Sequence, residues 1–519
     1  MHLPVLLLSR MRRRAQRGQA IVLGSLSFLV LALMVTLSFN LSHALRQRMS
    51  LQQHSDAMAY SMAVLEARAL NYYAVSNRAI AGSYVAMNSL HAYMAAASVT
   101  GEMLRAGEQN FTKIAAAEAV RCALCRFSCS CCKHAIDAEK VANKFGKKAK
   151  EYDRDARALE GDFRTAMEGL DLMVDNLHQS QADVHDRTSQ AVQDGSSHGL
   201  AQLKKDTAPK SSELNSAVGA LNKNEFNCAV DGMSCKGSVD STSKEARARV
   251  MTEIGNASRS AWPANRKGTK HLHPDFLKEF EDIPGQGMYK VSGHKGSAKT
   301  VTDGKNVYTR GQSGGNEGTT VAASEEGSLT HSLWEDAFPA TSTYDSSIWS
   351  DSGGGEHDGK GEDGEGEQHR GTHKFEGTNA RELTGCAGRG NCFMKYRANP
   401  DSNRDWGQPR VYSYYTMQLS VGNAQQAPWE LNNSRSVEFQ HGAQGSGKLT
   451  VAAGEGMSLS KALVYYHRFG AGGWREPPNL FAPFWRAKLH PFTPGEAAKV
   501  LEEAGNSDAV PIAETEVPL

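Results

Sequence analysis

Residues 20–41, AIVLGSLSFLVLALMVTLSFNL, form a run of twenty-two residues without a charged side chain. As a helix this run would be about 33 Å long at about 1.5 Å per residue, which matches a hydrocarbon core of about 30 Å. Five arginines between Arg10 and Arg17 precede it, and the positive-inside rule places such a basic flank in the cytoplasm. The pattern predicts a transmembrane helix at 20–41 that follows a cytoplasmic N-terminus at 1–19.

Two alternatives compete with that interpretation. A cleaved signal peptide would have a shorter apolar core and a small-x-small exit, whereas this run continues to His43 and Arg46. A buried helix of a globular core is rarely free of charge over such a length. A second charge-free run, at 79–99, has only four Leu, Ile, Val or Phe residues and is predicted to be a buried helix rather than a second span. We therefore expect a single-pass bacterial inner-membrane protein whose bulk is periplasmic or extracellular, with the lipid membrane as one partner.

Two short motifs around the apolar run carry a family resemblance. RGQAIVL at 17–23 and LQQHSDAMA at 51–59 resemble the N-terminal region of TadE/TadG-like proteins, over about residues 11–100. These proteins serve the tight-adherence pilus assembly system, which is Flp or type IVb-like. The resemblance implies a pseudopilin-like or accessory envelope protein rather than an enzyme. It also implies other pilus-assembly or envelope proteins as partners, with self-association possible.

The chain departs from that family in two places. Gly18 and Gln19 form a possible processing site, but Leu23 stands where processed prepilins usually have Glu, so we expect the basic N-terminus to be retained. The metal loop of the von Willebrand A domain found in several TadG-like proteins is missing, because DSTSK at 240–244 lacks the required serines. No metal site is expected there.

Charge and motifs argue against most other function classes. The chain has 519 residues and a formal net charge of +1, and it carries no nucleic-acid-binding signature. Nucleophile–base pairs, phosphate loops and dinucleotide fingerprints are also missing from the sequence. We therefore predict no catalytic residue, no cofactor and no nucleic-acid partner.

Residues 42–200 are predicted to form an exported helical stalk or hairpin. Apolar residues at three- and four-residue steps make a six-heptad seam of coiled-coil type, in which small alanines allow close helix packing. The alternative is one amphipathic helix on a globular core. The seam residues are Ala135, Ala138, Ala142, Phe145, Ala149, Tyr152, Ala156, Leu159, Phe163, Ala166, Leu170, Met173 and Leu177.

Nine cysteines form three groups. Cβ atoms three or four residues apart on a helix are about 5–6 Å apart, too far for the roughly 3.5–4.5 Å of a disulfide. The first group therefore predicts a break in the helix with a cysteine-stapled turn, or bridges to another element or chain; a metal site, a redox site and free thiols are the alternatives. The other two groups are predicted local disulfides, and the odd count leaves one cysteine over. The groups are Cys122, Cys125, Cys129, Cys131 and Cys132; Cys228 and Cys235; and Cys386 and Cys392.

The C-terminal half changes in composition. Residues 201–350 are predicted to be mixed and partly irregular, 351–375 a disordered Gly/acidic linker, 376–495 a β-rich domain and 496–519 a tail. Within the β-rich part, strands are expected at 411–421, 436–440 and 448–453. Its last segment resembles an ending that recurs in long TadE/TadG-like proteins and is predicted to be a packing motif; a ligand groove is the alternative. The motif residues are Trp474, Asn479, Phe481, Phe484, Trp485 and Arg486.

Together these observations predict an α+β fold. An N-terminal transmembrane helix continues into an exported helical hairpin or coiled coil, and a β-containing C-terminal domain follows a disordered linker. The expected function is that of a membrane-anchored accessory or structural protein of a Tad/Flp-type pilus assembly or secretion system. The alternative is an exported binding or sensor module that uses its cysteine cluster for a metal or redox response.

Overall fold

Six helices and ten strands make up the described part of the chain in the computed structural model. The helices are α1 (Leu3–Leu124), α2 (Cys129–Asp194), α3 (His198–Thr207), α4 (Ser216–Cys228), α5 (Glu496–Glu503) and α6 (Val510–Glu514). The structure describes residues 3–125, 129–230, 233, 235–236, 320–331, 339–351, 357–360, 393–398, 405–418, 436–441, 447–452, 455–470, 472–493 and 495–514.

Helix α1 has 122 residues and would be about 180 Å long at about 1.5 Å per residue. No proline occurs between Pro4 and Pro209, so nothing in this stretch removes a backbone donor or clashes with the preceding turn. Alanine, leucine and methionine, which favour helices, are frequent throughout. The sequence therefore has the properties that one continuous helix needs.

The transmembrane helix predicted at 20–41 requires correction. That segment is not a separate element but part of α1, which continues towards the C-terminal strands. The described large apolar side chains from Ile21 to Val35 are 42% to 75% exposed. Across the described residues, no helix combines the length and the apolar character that crossing a membrane requires. The predicted transmembrane element of the fold and the single-pass inner-membrane localisation are therefore wrong; they rested on the composition of one twenty-two-residue window.

Helices α1 and α2 pack against each other as a hairpin. Phe145 of α2 stacks on Phe111 of α1 with ring centroids 5.5 Å apart, and a Cβ atom at Gly107 would lie 2.5 Å from the Phe145 ring. Most of the heptad seam is the face that α2 buries: Ala138, Ala142, Phe145, Ala149, Tyr152, Ala156 and Phe163 are buried, whereas Met173 is 43% exposed. Small residues at this contact allow the two backbones to approach closely.

The strands form four separate sheets. β1 (Thr320–His331), β2 (Ala340–Asp351) and β3 (His357–Lys360) make an antiparallel meander, and β3 lies within the stretch predicted to be a linker. β10 (Trp485–Leu489), β7 (Glu455–Tyr466) and β4 (Arg410–Gln418) form an antiparallel sheet in that order. The remaining pairs are β5 (Ser436–His441) with β6 (Gly447–Ala452), and β8 (Phe469–Gly470) with β9 (Gly473–Trp474).

One hydrophobic core joins α1 to the β10-β7-β4 sheet. Met58, Met62, Leu70 and Tyr73 of α1 are at most 1% exposed, and they share a core with residues of β4, β7 and β10. The steps between them are four, eight and three residues, which keep them on one face of α1, and this face covers the sheet. α1 supplies nine of the 28 buried residues of this core, so the N-terminal helix and the C-terminal strands share one core.

Candidate functional site

The segment 51–59 of α1 is the part of the family resemblance that lies on the sheet. The hydroxyl group of Ser413 in β4 donates to the carbonyl oxygen of Ser55 at 2.8 Å, and the two hydroxyl oxygens lie 2.6 Å apart. Nδ1 of His54 lies 2.5 Å from Oγ1 of Thr207. Burial, with a smaller contribution from Lys204, lowers the pKa of His54 to about 4, so this ring is neutral at pH 7. These polar groups fix the register of α1 on the sheet.

A second contact fixes α1 further along. Asn71 donates from Nδ2 to the carbonyl oxygen of Trp485 at 2.9 Å and accepts at Oδ1 from the Trp485 backbone N–H at 3.0 Å. One turn and a half later, Asn77 donates to the carbonyl oxygens of Met394 and Leu480, each at 2.7 Å. Both asparagines satisfy backbone groups of the C-terminal part of the chain.

The C-terminal motif is organised around Asn479. Its Oδ1 accepts from the backbone N–H groups of Phe481 and Ala482, and its Nδ2 donates to the hydroxyl oxygen of Tyr466 at 3.0 Å. The indole N–H of Trp485 donates to the carbonyl oxygen of Asn479 at 3.0 Å. The motif thus holds a turn in a fixed shape ahead of β10.

The other members of the predicted motif differ in their surroundings. Phe481 lies against Phe393 with centroids 5.5 Å apart, and the guanidinium of Arg468 lies 4.0 Å from the Phe484 ring centroid. Arg486 is exposed, and Trp474 pairs through its backbone with Phe469. The aromatic residues after Asn479 therefore lie in packed surroundings, whereas Arg486 points to the surface.

A groove of about 650 Å³ lies beside the first half of β7, between that strand, α1 and the C-terminal helices. Its polar side is formed by Gln52 and Asp56 of α1, by Ser458, Ser460 and Lys461 of β7, and by His490. Ser460 donates to Oδ1 of Asp56 at 2.5 Å, and Gln52 donates to the same oxygen at 2.9 Å. The apolar side is formed by Leu489, Phe492, Leu501, Ala509 and Ala513.

A buried group of charges supports the sheet next to this groove. The ammonium group of Lys461, which is fully buried, lies 2.6 Å from Oδ2 of Asp405 and 2.7 Å from Oε2 of Glu496. Tyr412 donates to the other oxygen of Glu496 at 2.7 Å. Burial raises the pKa of Glu496, but the hydrogen bonds from Lys461, the Thr493 backbone and Tyr412 outweigh it and lower that pKa to about 2. Glu496 is therefore charged at pH 7.

Asp405 also fixes the turn that precedes β4. Asp405 and Trp406 have φ values of 53° and 59°, a left-handed conformation that costs L-residues roughly 1–2 kcal/mol each. Nε2 of His490 lies 2.8 Å from Oδ1 of Asp405. Burial lowers the pKa of His490 although Asp405 opposes that shift. The ion pair of Asp405 with Lys461 and its hydrogen bond with His490 offset the strain of this turn, which indicates that Asp405 has a structural role.

The cysteine candidates fall into three outcomes. The structure joins Cys122 at the end of α1 to Cys132 near the start of α2, with Cα atoms 4.8 Å apart. It also joins Cys228 to Cys235, with Cα atoms 4.9 Å apart. Cys125 is exposed, and Cys129 and Cys131 lie in the first turn of α2. Cys386 and Cys392 lie outside the described residues. Gly18 and Gln19, the possible processing site, lie inside α1.

Sequence reasoning missed the groove and the charges beside it. Lys461, Asp405 and Glu496 are 56 and 35 residues apart along the chain, and no spacing rule connects them. Gln52 and Asp56 were part of a quoted motif, but their position on the sheet could not be read from it. Among the described residues, no group of three or more His, Cys, Asp or Glu side chains is placed to hold a metal ion.

Comparison with protein-family models, with curated proteins and with solved structures gives no match. The resemblance to TadE/TadG-like proteins therefore depends on the motifs at 17–23, 51–59 and 474–486, and the positions of these residues in the fold support a function.

Proposed function

We propose that the chain is a non-catalytic structural protein of a Tad/Flp-type pilus assembly or secretion system. The observation that carries this proposal is the contact between the two stretches that resemble TadE/TadG-like proteins. Asn71 and Trp485 are 414 residues apart in sequence and share two hydrogen bonds. Asn71 lies twelve residues after the motif at 51–59, within the stretch 11–100 that carries the resemblance, and its bonds join that stretch to the C-terminal motif. This contact supports a structural role for the two stretches.

The charged groups beside this contact support the same interpretation. Lys461, Asp405 and Glu496 have side chains that are at most 4% exposed, and Lys461 pairs with both acids. A reacting group must reach a substrate within hydrogen-bond distance, and these side chains are enclosed. Their arrangement favours a role in holding the sheet.

A complementation experiment tests the proposal. The gene is deleted in the bacterium that encodes it, and surface pili are measured by electron microscopy and by pilin recovered in sheared fractions. We expect the deletion to remove pili and the wild-type gene to restore them. Asn71→Ala should restore them poorly, because it removes both bonds to Trp485, whereas the matched surface variant Arg486→Ala should restore them fully. Normal piliation in the deletion strain would refute the proposal.

The same deletion strain distinguishes the sensor alternative from the structural proposal. Cys122→Ser with Cys132→Ser removes the bridge between α1 and α2. If that variant restores pili but the cells lose a response to oxidant or metal, the sensor interpretation gains support. If the variant behaves as the wild type in both assays, the bridge serves stability alone.

A further inference from the structure

The central strand β7 is paired on one side only along its first half. β4 pairs with residues 455–463 of β7, whereas β10 pairs only with residues 462–466. After Leu489 the chain leaves the sheet, and within the described ranges no other strand pairs with 455–461 on that side. The groove beside β7 therefore lies along an open strand edge.

The backbone groups that face this edge follow from the alternation of an antiparallel strand. The N–H of His490 donates to the carbonyl oxygen of Lys461 at 3.0 Å, so Lys461 directs its backbone groups to the β10 side. Residues two and four positions earlier share that direction. Leu459 and Met457 therefore present their backbone N–H and C=O groups to the groove.

The outer edge of β10 in the same sheet is closed by a side chain and provides a comparison. On the outer edge of β10, Asn71 satisfies both the N–H and the C=O of Trp485 at 3.0 and 2.9 Å. At the edge of β7, Gln52 reaches only the carbonyl oxygen of Leu459, at 3.4 Å. The edge of β10 is therefore capped by the side chain of Asn71, which takes the place of a neighbouring strand. The edge of β7 remains accessible to a further strand.

The side chains around the open edge define what would fit there. The apolar wall includes Leu489, which is 48% exposed, and the neighbouring Met457 is 43% exposed. The hydroxyl oxygen of Ser458, a residue that lines the groove, is buried and has no hydrogen-bond partner among the described residues. These features suit an extended segment that brings apolar side chains and backbone polar groups together.

The charged residues near the groove indicate which kind of extended segment would bind. Asp56 lines the groove and forms no ion pair with any described residue. Lys461 also lines the groove, but its charge is paired with both Asp405 and Glu496, so these three groups together are negative. The exposed surface of α5, α6 and their connection is acidic as well, apart from Lys499. The exposed acidic residues there are Glu502, Glu503, Asp508 and Glu514. A complementary ligand is therefore basic.

We propose that the edge of β7 at Met457 and Leu459 binds an extended segment of a partner protein in which apolar and basic side chains alternate. The segment adds to the sheet as a further strand, its backbone pairs with Leu459, and its basic side chains lie near Asp56. This inference concerns the groove alone and goes beyond the proposed function, so either can fail without the other.

A labelled peptide of about six residues, a typical strand length, tests the proposal on the full chain. The probe alternates valine and lysine, and binding is measured by fluorescence anisotropy. We expect saturable binding that weakens at least about tenfold when alternate peptide nitrogens are methylated, because the strand bonds are then lost. Replacing lysine by glutamate in the probe should weaken binding by a similar factor.

Two variants locate the binding. Leu459→Pro removes the N–H that faces the groove, a change that strand edges tolerate, and it should abolish binding. Asp56→Asn keeps an acceptor for Ser460 but removes the charge, so it should weaken binding several-fold. Lys499→Ala, at an exposed position of α5, is the control and should leave binding intact or strengthen it.

Three results would overturn the proposal. These are no saturable binding up to about 1 mM peptide, equal binding of the methylated and unmethylated probes, and a concentration-dependent increase in mass that Leu459→Pro abolishes. The third would show that another copy of the chain occupies the edge. If Leu459→Pro lowers the melting temperature strongly, this variant cannot be used. The proposal is then tested by comparing the binding of the methylated and unmethylated peptides to the wild-type chain.

Discussion

Asn71 of α1 holds both backbone groups of Trp485, donating to its carbonyl oxygen at 2.9 Å and accepting from its N–H at 3.0 Å. The side-chain amide thus occupies the position of a neighbouring strand on the outer edge of β10. Such an edge would otherwise be a template for pairing with another chain. One side chain therefore both anchors the long helix and closes the sheet.

Replacing Asn71 by alanine should destabilise the chain by about 1–3 kcal/mol, because two half-buried backbone groups lose their partners. The measurement is urea unfolding followed by circular dichroism. Arg486→Ala, a change at the neighbouring exposed position, should stay within about 0.5 kcal/mol of the wild type. Equal effects of the two variants would contradict the anchoring role of Asn71.

Glu66 is a buried acid whose two carboxylate oxygens have no hydrogen-bond partner in the part of the chain that the structure describes. Burial raises its pKa well above the ordinary value of 4.5, with a smaller effect from Glu225. The folded state thus binds its proton more tightly than the unfolded state, and stability falls as pH rises above about 4.5.

Glu66→Met should therefore stabilise the chain, by about 1–4 kcal/mol on the scale of buried charges replaced by apolar residues. The gain in melting temperature should be larger at pH 8 than at pH 5, which differential scanning fluorimetry can measure. Glu139→Met, at an exposed position of α2, serves as the control. A gain in melting temperature that is independent of pH would argue against a raised pKa of Glu66.

Lys461 neutralises two buried carboxylates, those of Asp405 and Glu496. Lys461→Met should cost about 3–5 kcal/mol, because it leaves both acids buried without a cation. The exposed Lys499→Met should cost little. Chemical unfolding at pH 7 measures both variants, and a loss below about 1 kcal/mol for Lys461→Met would contradict the importance of the pair.

The same cluster predicts an acid transition. The pKa of Glu496 is about 2 in the folded chain against 4.5 for the free group. Its contribution to stability is therefore fully present above about pH 4.5 and is lost as pH falls towards 2. Stability measured across that window should decline more steeply in the wild type than in Glu496→Gln. Parallel curves for the two proteins would exclude this contribution.

The bridge between Cys122 and Cys132 closes the α1–α2 hairpin across ten residues. Replacing both cysteines by serine should reduce stability by about 3 kcal/mol on the chain-entropy estimate for such a loop. Limited proteolysis should then cut first near the tip of the hairpin. The double serine variant of Cys228 and Cys235 is the matched control, and it should leave the tip protected.

Sequence reasoning identified features that depend on local spacing. The seam through Phe145 and Tyr152 follows a heptad rule, and the face that α2 buries matches it. The strand at 436–440 matches β5 almost residue for residue. Bridging of Cys122 to Cys132 across a break between two helices also agrees with the geometric argument against bridges along a helix.

The errors arose where distant parts of the chain decide the structure. Residues 20–41 were interpreted from their own composition, although they belong to a helix of 122 residues. The polar residues at 51–59, among them Ser55 and Asp56, gave no sign of the strands they contact, because Ser413 lies 358 residues away. The partners of Lys461, Asp405 and Glu496, are likewise distant in sequence, so no local pattern predicts these ion pairs.

The contact between Asn71 and Trp485 has a consequence for the synthesis of this chain. A ribosome adding about 5–20 residues per second needs roughly 20–80 s to cover the 414 residues between them. During that time the apolar face with Met58, Met62 and Leu70 has emerged, but its strands have not yet been made. We expect the nascent chain to depend on a chaperone over this interval, and a chain that stops before β10 to aggregate rather than fold.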